Sequence, residues 1–285
     1  MPVTSPTSST QRNPTALRAT YGPWALVTGA SDGIGRAFAD LLAGQGLDLI
    51  LVARRRPQLE ALAGDLERRH GIACAVVAAD LATEAGVVAA LGAADGREVG
   101  LLVAAAGYGT SGPFPQSNLS EELGMIDVNC RAVVALCHGL AAGMVSRRRG
   151  GIVLLSSIVA FQGVARSANY AATKAFVQTF AEGLGRELAP DGVAVLAVAP
   201  GPVSSGFEAR SGMTFDRADL PATVAAGAMQ ALGRRRTVRP GWRSKLLGLS
   251  LAGLPRGLRT RILSSVMAGM TGHRNDVSSG HAPSP

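Results

Sequence analysis

The sequence predicts an α/β protein: one domain on a doubly wound parallel sheet, with helices on both faces in three layers. Three observations point there. Apolar strand-like runs alternate with helix-like stretches from residue 24 to residue 239. The strand runs are apolar at nearly every position, as in a sheet covered on both faces. The 285 residues, 47% of them hydrophobic, supply one sizeable core and not clearly two. Repeated right-handed βαβ units of this kind wind a sheet in both directions from its centre.

Taken in order, the first strand spans 24–29 and stops at a glycine-rich turn. Ala37, Phe38, Leu41 and Leu42 then recur at helical spacing within 33–45. Strands at 47–53 and 73–79 precede helices at 57–70 and 83–94, and a strand at 99–105 precedes a long helix at 119–147. Strand 151–157 leads to helix 168–189, which ends at Pro190 because proline has no amide proton to donate. After strand 193–199, residues 204–220 carry Gly206, Gly212, Pro221, Phe207, Met213 and Phe215 at or beside them. That composition reads as an apolar flap or as a plain surface loop. Helix 221–235 and a short strand at 237–239 complete the domain, set at 21–240. Residues 1–20, rich in Ser, Thr and Pro without an apolar segment, read as a disordered leader. Residues 241–285 read as a basic, apolar extension.

Tyr170 and Lys174 stand four apart, and Ser157 lies thirteen residues before Tyr170. A phenol, with an ordinary pKa of about 10, is a poor acid-base group at neutral pH. An ammonium one helical turn away favours the phenolate and is expected to lower that pKa. A serine hydroxyl beside the phenol holds a carbonyl or alcohol oxygen in place. The three groups make a proton-transfer device for a ketone and its alcohol, and such a device needs a hydride carrier. The run Thr28-Gly29-Ala30-Ser31-Asp32-Gly33-Ile34-Gly35 fits one. Its glycines let the backbone turn tightly and approach a pyrophosphate, whose charge then sits at a helix N-terminus.

These motifs, together with Asp80, Ala106-Gly107, Asn129, Ser156-Ser157 and Pro200-Gly201-Pro202-Val203, occur in one order along roughly residues 20–240. In that set the chain resembles the short-chain dehydrogenase/reductase family, in its compact single-domain form on a Rossmann-type sheet. The resemblance implies a general acid/base at Tyr170 and picks Ser157 over Ser156 by spacing. Lys174 would also bond the nicotinamide ribose, and Asn129 would kink its helix and hold a water that links Lys174 to solvent. Asp80 and Leu81 would lie at the adenine, and Ala106 and Gly107 would border the cofactor. Pro200, Gly201, Val203 and Ser205 would pack on the nicotinamide, with Ser205 where threonine is usual. Ala104 and Ala105 depart from the family, which usually has asparagine at one or both places, and this puts sheet bracing in doubt.

Cofactor choice rests on the end of the second strand, where Ala53 and then Arg54 replace the acidic residue of an NAD-preferring enzyme. A guanidinium suits a 2′-phosphate, so NADP(H) is favoured over NAD(H), with Arg55 in reserve. Asp32 argues mildly the other way. The net charge of +8 belongs to the C-terminal segment, since residues 234–285 hold ten Lys/Arg and one acidic residue, Asp276. No aromatic-interleaved basic stripe points to nucleic acid. Trp242, Leu246, Leu247, Leu249 and Leu251 mix with Arg243 and Lys245, and Leu258, Ile262, Val266 and Met270 form a helical stripe broken by Arg259. A lid, a subunit interface and peripheral membrane contact all stay open for this segment.

Three cysteines, Cys74, Cys130 and Cys137, have no metal-ligand spacing, so no metal site is expected. They read as free thiols in a reducing, cytoplasmic compartment, with membrane association left open. The leading expectation is a ketone/alcohol oxidoreductase, a homodimer or homotetramer, acting on a small lipophilic carbonyl or alcohol. Phe114, Phe161, Phe207 and Met213 hint at that apolar substrate. The rivals are a catalytically silent nucleotide-binding scaffold and a membrane-surface protein on the same fold.

Overall fold

In the computed structural model, residues 16–213, 218–241 and 253–271 are described. The apolar runs form seven parallel strands: β1 (Trp24–Thr28), β2 (Asp48–Ala53), β3 (Cys74–Ala78), β4 (Val99–Ala104), β5 (Gly150–Leu155), β6 (Val193–Val198) and β7 (Thr237–Val238). Their order in the sheet is β3-β2-β1-β4-β5-β6-β7. The chain winds outward one way from β1 and then the other way from β4. A crevice therefore opens at the carboxyl ends of these two strands, where such sheets bind ligands.

The side-chain period of two splits the core between two faces. Ala25 and Val27 of β1, with Val153 and Leu155 of β5, join one cluster under α2 (Gly33–Gly44), α3 (Arg56–His70) and α9 (Pro221–Ala231). Leu26, Ile152 and Leu154 join the other, under α4 (Glu84–Gly92), α6 (Ala132–Ser146) and α7 (Ala168–Glu187). Both faces are covered, so every residue of β4 and β5 is buried, as the unbroken apolar runs foretold.

Helix α1 (Ala16–Tyr21) overlaps the last five residues of the stretch read as a disordered leader and corrects that boundary. Leu17 and Tyr21 pack on the core, Arg149 donates to the Ala19 carbonyl at 2.8 Å, and Arg18 pairs with Asp48 at 3.1 Å. Two apolar contacts and two tethers hold a turn and a half of helix that its composition did not announce.

The long helix expected at 119–147 is there, but it is not uniform. α5 (Leu119–Ile126) passes through a π-helical turn, Asp127–Arg131, into α6. The 28 residues Leu119–Ser146 are long and apolar enough to span a membrane, yet Met125, Leu136, Leu140 and Met144 are buried within the fold. The segment between β6 and α9 carries a short helix, α8 (Phe207–Ser211), and Val203 bridges Asp219. The C-terminal stripe forms α10 (Arg256–Thr271). Phe215, and Trp242 with the apolar and basic residues that follow it to Leu251, lie outside the described residues.

Candidate active site

The carboxyl ends of β1 and β4 open into a cavity of about 710 Å³. The glycine-rich turn forms one wall. Gly29 and Gly33 have φ of 66° and 53°, left-handed values that cost other residues strain. A Cβ on Gly35 would sit 2.3 Å from the Gly29 carbonyl oxygen, so only glycine lets α2 start this close to the turn. Asp32 caps α2 by accepting from the Gly33 amide at 2.7 Å. Ser31, Gly33, Ile34 and Gly35 all line the cavity. Thr28 does not. It is buried, and its hydroxyl accepts from the Ala106 amide at 2.9 Å, tying β1 to the end of β4. Its place is a brace rather than a cavity wall, and it lies where sequence reading expected a cofactor contact.

Arg54, Asp80, Leu81, Ala106 and Gly107 also line the cavity, as do Pro200, Gly201, Val203 and Ser205. Arg55 donates to the Ser31 hydroxyl at 3.1 Å and lies 3.9 Å from the Asp32 carboxylate. The acidic charge that argued against a 2′-phosphate is thus faced by a cation. Arg54 remains at the strand end, exposed on the cavity wall.

Tyr170 and Lys174 share the inner face of α7, with the Lys174 ammonium 5.7 Å from the centre of the phenol ring. That ammonium donates to the Leu155 carbonyl at 2.8 Å, at the end of β5. Ser157 lines the cavity with Tyr170 and lies near enough to its phenol to lower the phenol's pKa, while the Ser157 hydroxyl accepts from the Val159 amide at 3.4 Å. Ser156 has another partner, donating to the Lys174 carbonyl at 3.1 Å. Alternation along the strand end sends the two hydroxyls to different neighbours, which separates the adjacent serines.

Burial pushes the Tyr170 phenol up to about 12, and the nearby Ser157 side chain offsets part of that rise. Burial pushes Lys174 down to about 8. The expected lowering of the phenol by its lysine is therefore overturned in this geometry. Desolvation dominates, and the lysine is itself desolvated beneath the ring.

Asn129 sits in the middle of the π turn and is 1% exposed. Its amide nitrogen donates to the Tyr108 carbonyl at 2.9 Å and to the Thr173 hydroxyl at 3.0 Å, and its oxygen accepts from the Tyr108 amide at 3.1 Å. It does not line the cavity. A Cβ on Gly107 would meet the Asn129 oxygen at 2.9 Å and the Lys174 ammonium at 3.4 Å, so a side chain there would crowd both, although Lys174 itself lines the cavity.

At the far end, Phe207, Met213, Val159, Leu263 and Val266 cap the cavity beside Tyr170. The Phe207 and Tyr170 ring centres are 5.5 Å apart. Phe114 and Phe161 do not contribute, against expectation. Phe114 is 59% exposed, and Phe161 lies under the Arg239 guanidinium, 4.4 Å from its ring centre. Both sit on connections whose direction the sequence does not fix. Sequence reading missed Arg210, Tyr108 and Leu263. The C-terminal stripe marked Ile262, but the helix turns Leu263 inward, one residue on.

A glycine-lined crevice thus brings Ser157, Tyr170 and Lys174 together on one cavity. A family model described as short chain dehydrogenase matches residues 23–214, and the chain belongs to the short-chain dehydrogenase/reductase family. Its members oxidise CH–OH or reduce C=O groups with NAD(P).

Among curated proteins, the chain is similar to a very-long-chain 3-oxoacyl-CoA reductase of Phaeosphaeria nodorum, 38% identical over 183 residues, covering 62% of this chain and 54% of that one. It is also similar to the human inactive hydroxysteroid dehydrogenase-like protein 1, 32% identical over 196 residues, covering 67% and 59%. The chain thus spans a little over half the length of these relatives. A solved short-chain dehydrogenase from Sphingobium yanoikuyae in complex with NADPH superposes with a TM-score of 0.72 at 30% identity, covering 92% of this chain and 99% of that one.

Proposed function

We propose that the protein interconverts a ketone and a secondary alcohol of lipophilic character, using NADP(H), with Tyr170 as general acid/base. The carrying observation is that Ser157, Tyr170 and Lys174 line one cavity together with the glycine turn and an apolar cap. The residues fit a dinucleotide: Gly29, Gly33 and Gly35 line the cavity at the α2 N-terminus, where a pyrophosphate would bind, and Arg54 on the same cavity would take a 2′-phosphate. The dinucleotide, when bound, supplies or accepts the hydride. Tyr170 gives its proton to the carbonyl oxygen during reduction and takes it back during oxidation. Ser157 holds that oxygen by hydrogen bonding, and Lys174 keeps a positive charge beneath the phenol to stabilise its anion. Asn129 positions Tyr108 and Thr173 around the lysine and serves the proton relay.

The apolar cap supports a lipophilic substrate, in keeping with relatives whose names refer to very long acyl chains and hydroxysteroids. One such relative is called inactive, so the silent-scaffold reading needs an observation against it. The complete Ser157, Tyr170 and Lys174 set provides one, because a scaffold has no use for it. The α10 helix supports a lid, since Leu263 reaches the cavity from it. A homodimer or homotetramer and a cytoplasmic setting, with or without membrane-surface contact, belong to the same reading. Exposed Leu119, Leu123 and Ile126 along α5 support a shared helix face.

The test is NADPH consumption by purified protein over a panel of bulky apolar ketones, with NADPH production from the matching alcohols. Turnover lost in Tyr170→Phe supports the mechanism. Near-normal turnover in that variant would overturn it.

A further inference from the structure

We propose that Arg210 is a phosphate-binding residue of the dinucleotide site, supplied across the groove by α8. The inference rests on the reading that a dinucleotide occupies the cavity. Its ground is the position of α8 over the glycine turn. A Cβ on Gly206 would meet the Asp32 carboxylate oxygen at 2.3 Å, and a Cβ on Gly33 would meet the Ser205 Cβ at 2.9 Å. The start of α8 therefore rests on the turn that faces the pyrophosphate position.

From the last turn of α8 the Arg210 guanidinium lies over the Tyr108 ring, 4.4 Å from its centre. Tyr108 belongs to the other wall. It follows Gly107, its amide donates to Asn129 at 3.1 Å, and its hydroxyl donates to the Glu121 carbonyl at 2.8 Å. One side chain thus spans the groove, and both Arg210 and Tyr108 line the cavity.

The charges around Arg210 favour an anion. Among the described residues no carboxylate lies within ion-pair distance of it. The acidic groups that face it are Asp80 and Glu121, and the Asp80 carboxylate accepts from the Ala82 amide at 3.0 Å. Arg54 faces it as a second cation on the same cavity and, after desolvation, is the next cause holding its pKa down. Two cations on one groove repel, and an anion between them relieves both. A face-on ring contact fixes the guanidinium plane while leaving its five N–H donors for a ligand. A planar fork of donors matches a phosphate.

The anion is either the pyrophosphate, present in both dinucleotides, or the 2′-phosphate, present only in NADPH. NADPH and NADH are titrated, by cofactor fluorescence, against wild type, Arg210→Ala, Arg210→Lys and Arg54→Ala at low and high salt. Arg210→Ala is expected to weaken binding about tenfold, the effect of one charge-assisted hydrogen bond. It should also flatten the salt dependence, which a packing role would not do. Lysine should restore part of the loss. Equal weakening of both dinucleotides assigns the pyrophosphate, and weakening of NADPH alone assigns the 2′-phosphate; either supports the proposal. Wild-type affinity for both in Arg210→Ala overturns it and leaves the proposed function standing. If wild type binds neither dinucleotide, the proposed function falls and takes this inference with it. Should Arg210→Ala melt early, Arg210→Gln keeps the stem and carries the same comparison.

Discussion

Tyr170 presents a problem of charge. Its phenol is pushed up to about 12, so it carries its proton at neutral pH but releases it reluctantly unless a nearby charge stabilises the phenolate. Lys174 makes the difference only while charged, and burial brings its pKa to about 8. Reduction measured as kcat/KM should therefore hold level at lower pH and fall as pH rises through about 8, where the ammonium is lost. The same shift has a stability consequence. The unfolded chain keeps the lysine protonated up to its ordinary 10.5, so it binds more protons than the folded one above pH 8. Folding stability from this group should then increase as pH rises from about 8 toward 10. Beyond the ordinary phenol value of 10, the raised Tyr170 pKa acts in the opposite sense. Urea unfolding at several pH values, in wild type and Lys174→Met, would check this, because the methionine variant should lose the rise.

Single substitutions divide the roles further. Tyr170→Phe should lower kcat by roughly 10²–10⁴, the usual worth of a general acid, with the fold and NADPH binding intact. Ser157→Ala should lower turnover strongly and Ser156→Ala much less, because Ser157 acts on the phenol's pKa while Ser156 is bonded to the α7 backbone. Steady-state kinetics on a confirmed ketone would show the order, and a reversal would move the role to Ser156. Arg54→Ala should weaken NADPH by roughly ten- to a hundredfold, taking about 1.5–3 kcal/mol for a charged hydrogen bond, and leave NADH nearly unchanged. Cofactor titrations read this directly, and equal loss for both would count against Arg54.

At the scale of elements, the helix ends and turns place these groups. The π turn at Asp127–Arg131 inserts an extra residue's worth of backbone into an apolar helix. Asn129 at its centre then aims inward and joins the Tyr108 loop to α7. Helix α10 brings Leu263, 4% exposed, onto Val159 and Met213 at the cavity cap. Ser264 fixes it by accepting from the Ala165 amide at 3.1 Å. Leu263→Ala should raise KM several-fold for a bulky apolar ketone and leave a small ketone little affected, since only the bulky one fills the cap. Parallel KM measurements on the two ketones would test this, and equal effects would point to a general loss of order in α10.

Across the whole molecule, stability is concentrated in the sheet. Leu102 is fully buried in β4, next to the switch point. Leu102→Ala should cost about 2–5 kcal/mol, the range for cavities left by large core residues, visible as a lowered urea midpoint. The sequence by itself determined the sheet, because strands buried on both faces must be apolar throughout and that pattern needs no partner to be read. It also put Tyr170 and Lys174 on one helix face, because residues four apart share a face, as the structure shows, while Ser157 was read from the family resemblance. The glycine turn was legible for the same reason, since its backbone demands are local.

What the tertiary structure alone decided depends on distant neighbours. Helix α1 is ordered by Arg149 and the core, not by its own residues. Thr28 faces Ala106 instead of the cavity because β4 lies beside it. The phenol's pKa was misjudged because spacing shows the nearby lysine but not the burial of both groups. Phe114 and Phe161 point away, while Arg210 reaches Tyr108 about a hundred residues off in sequence. Periodicity records which face of an element is apolar. It does not record which loop lies across the groove, because that depends on the packing of elements far apart in the chain.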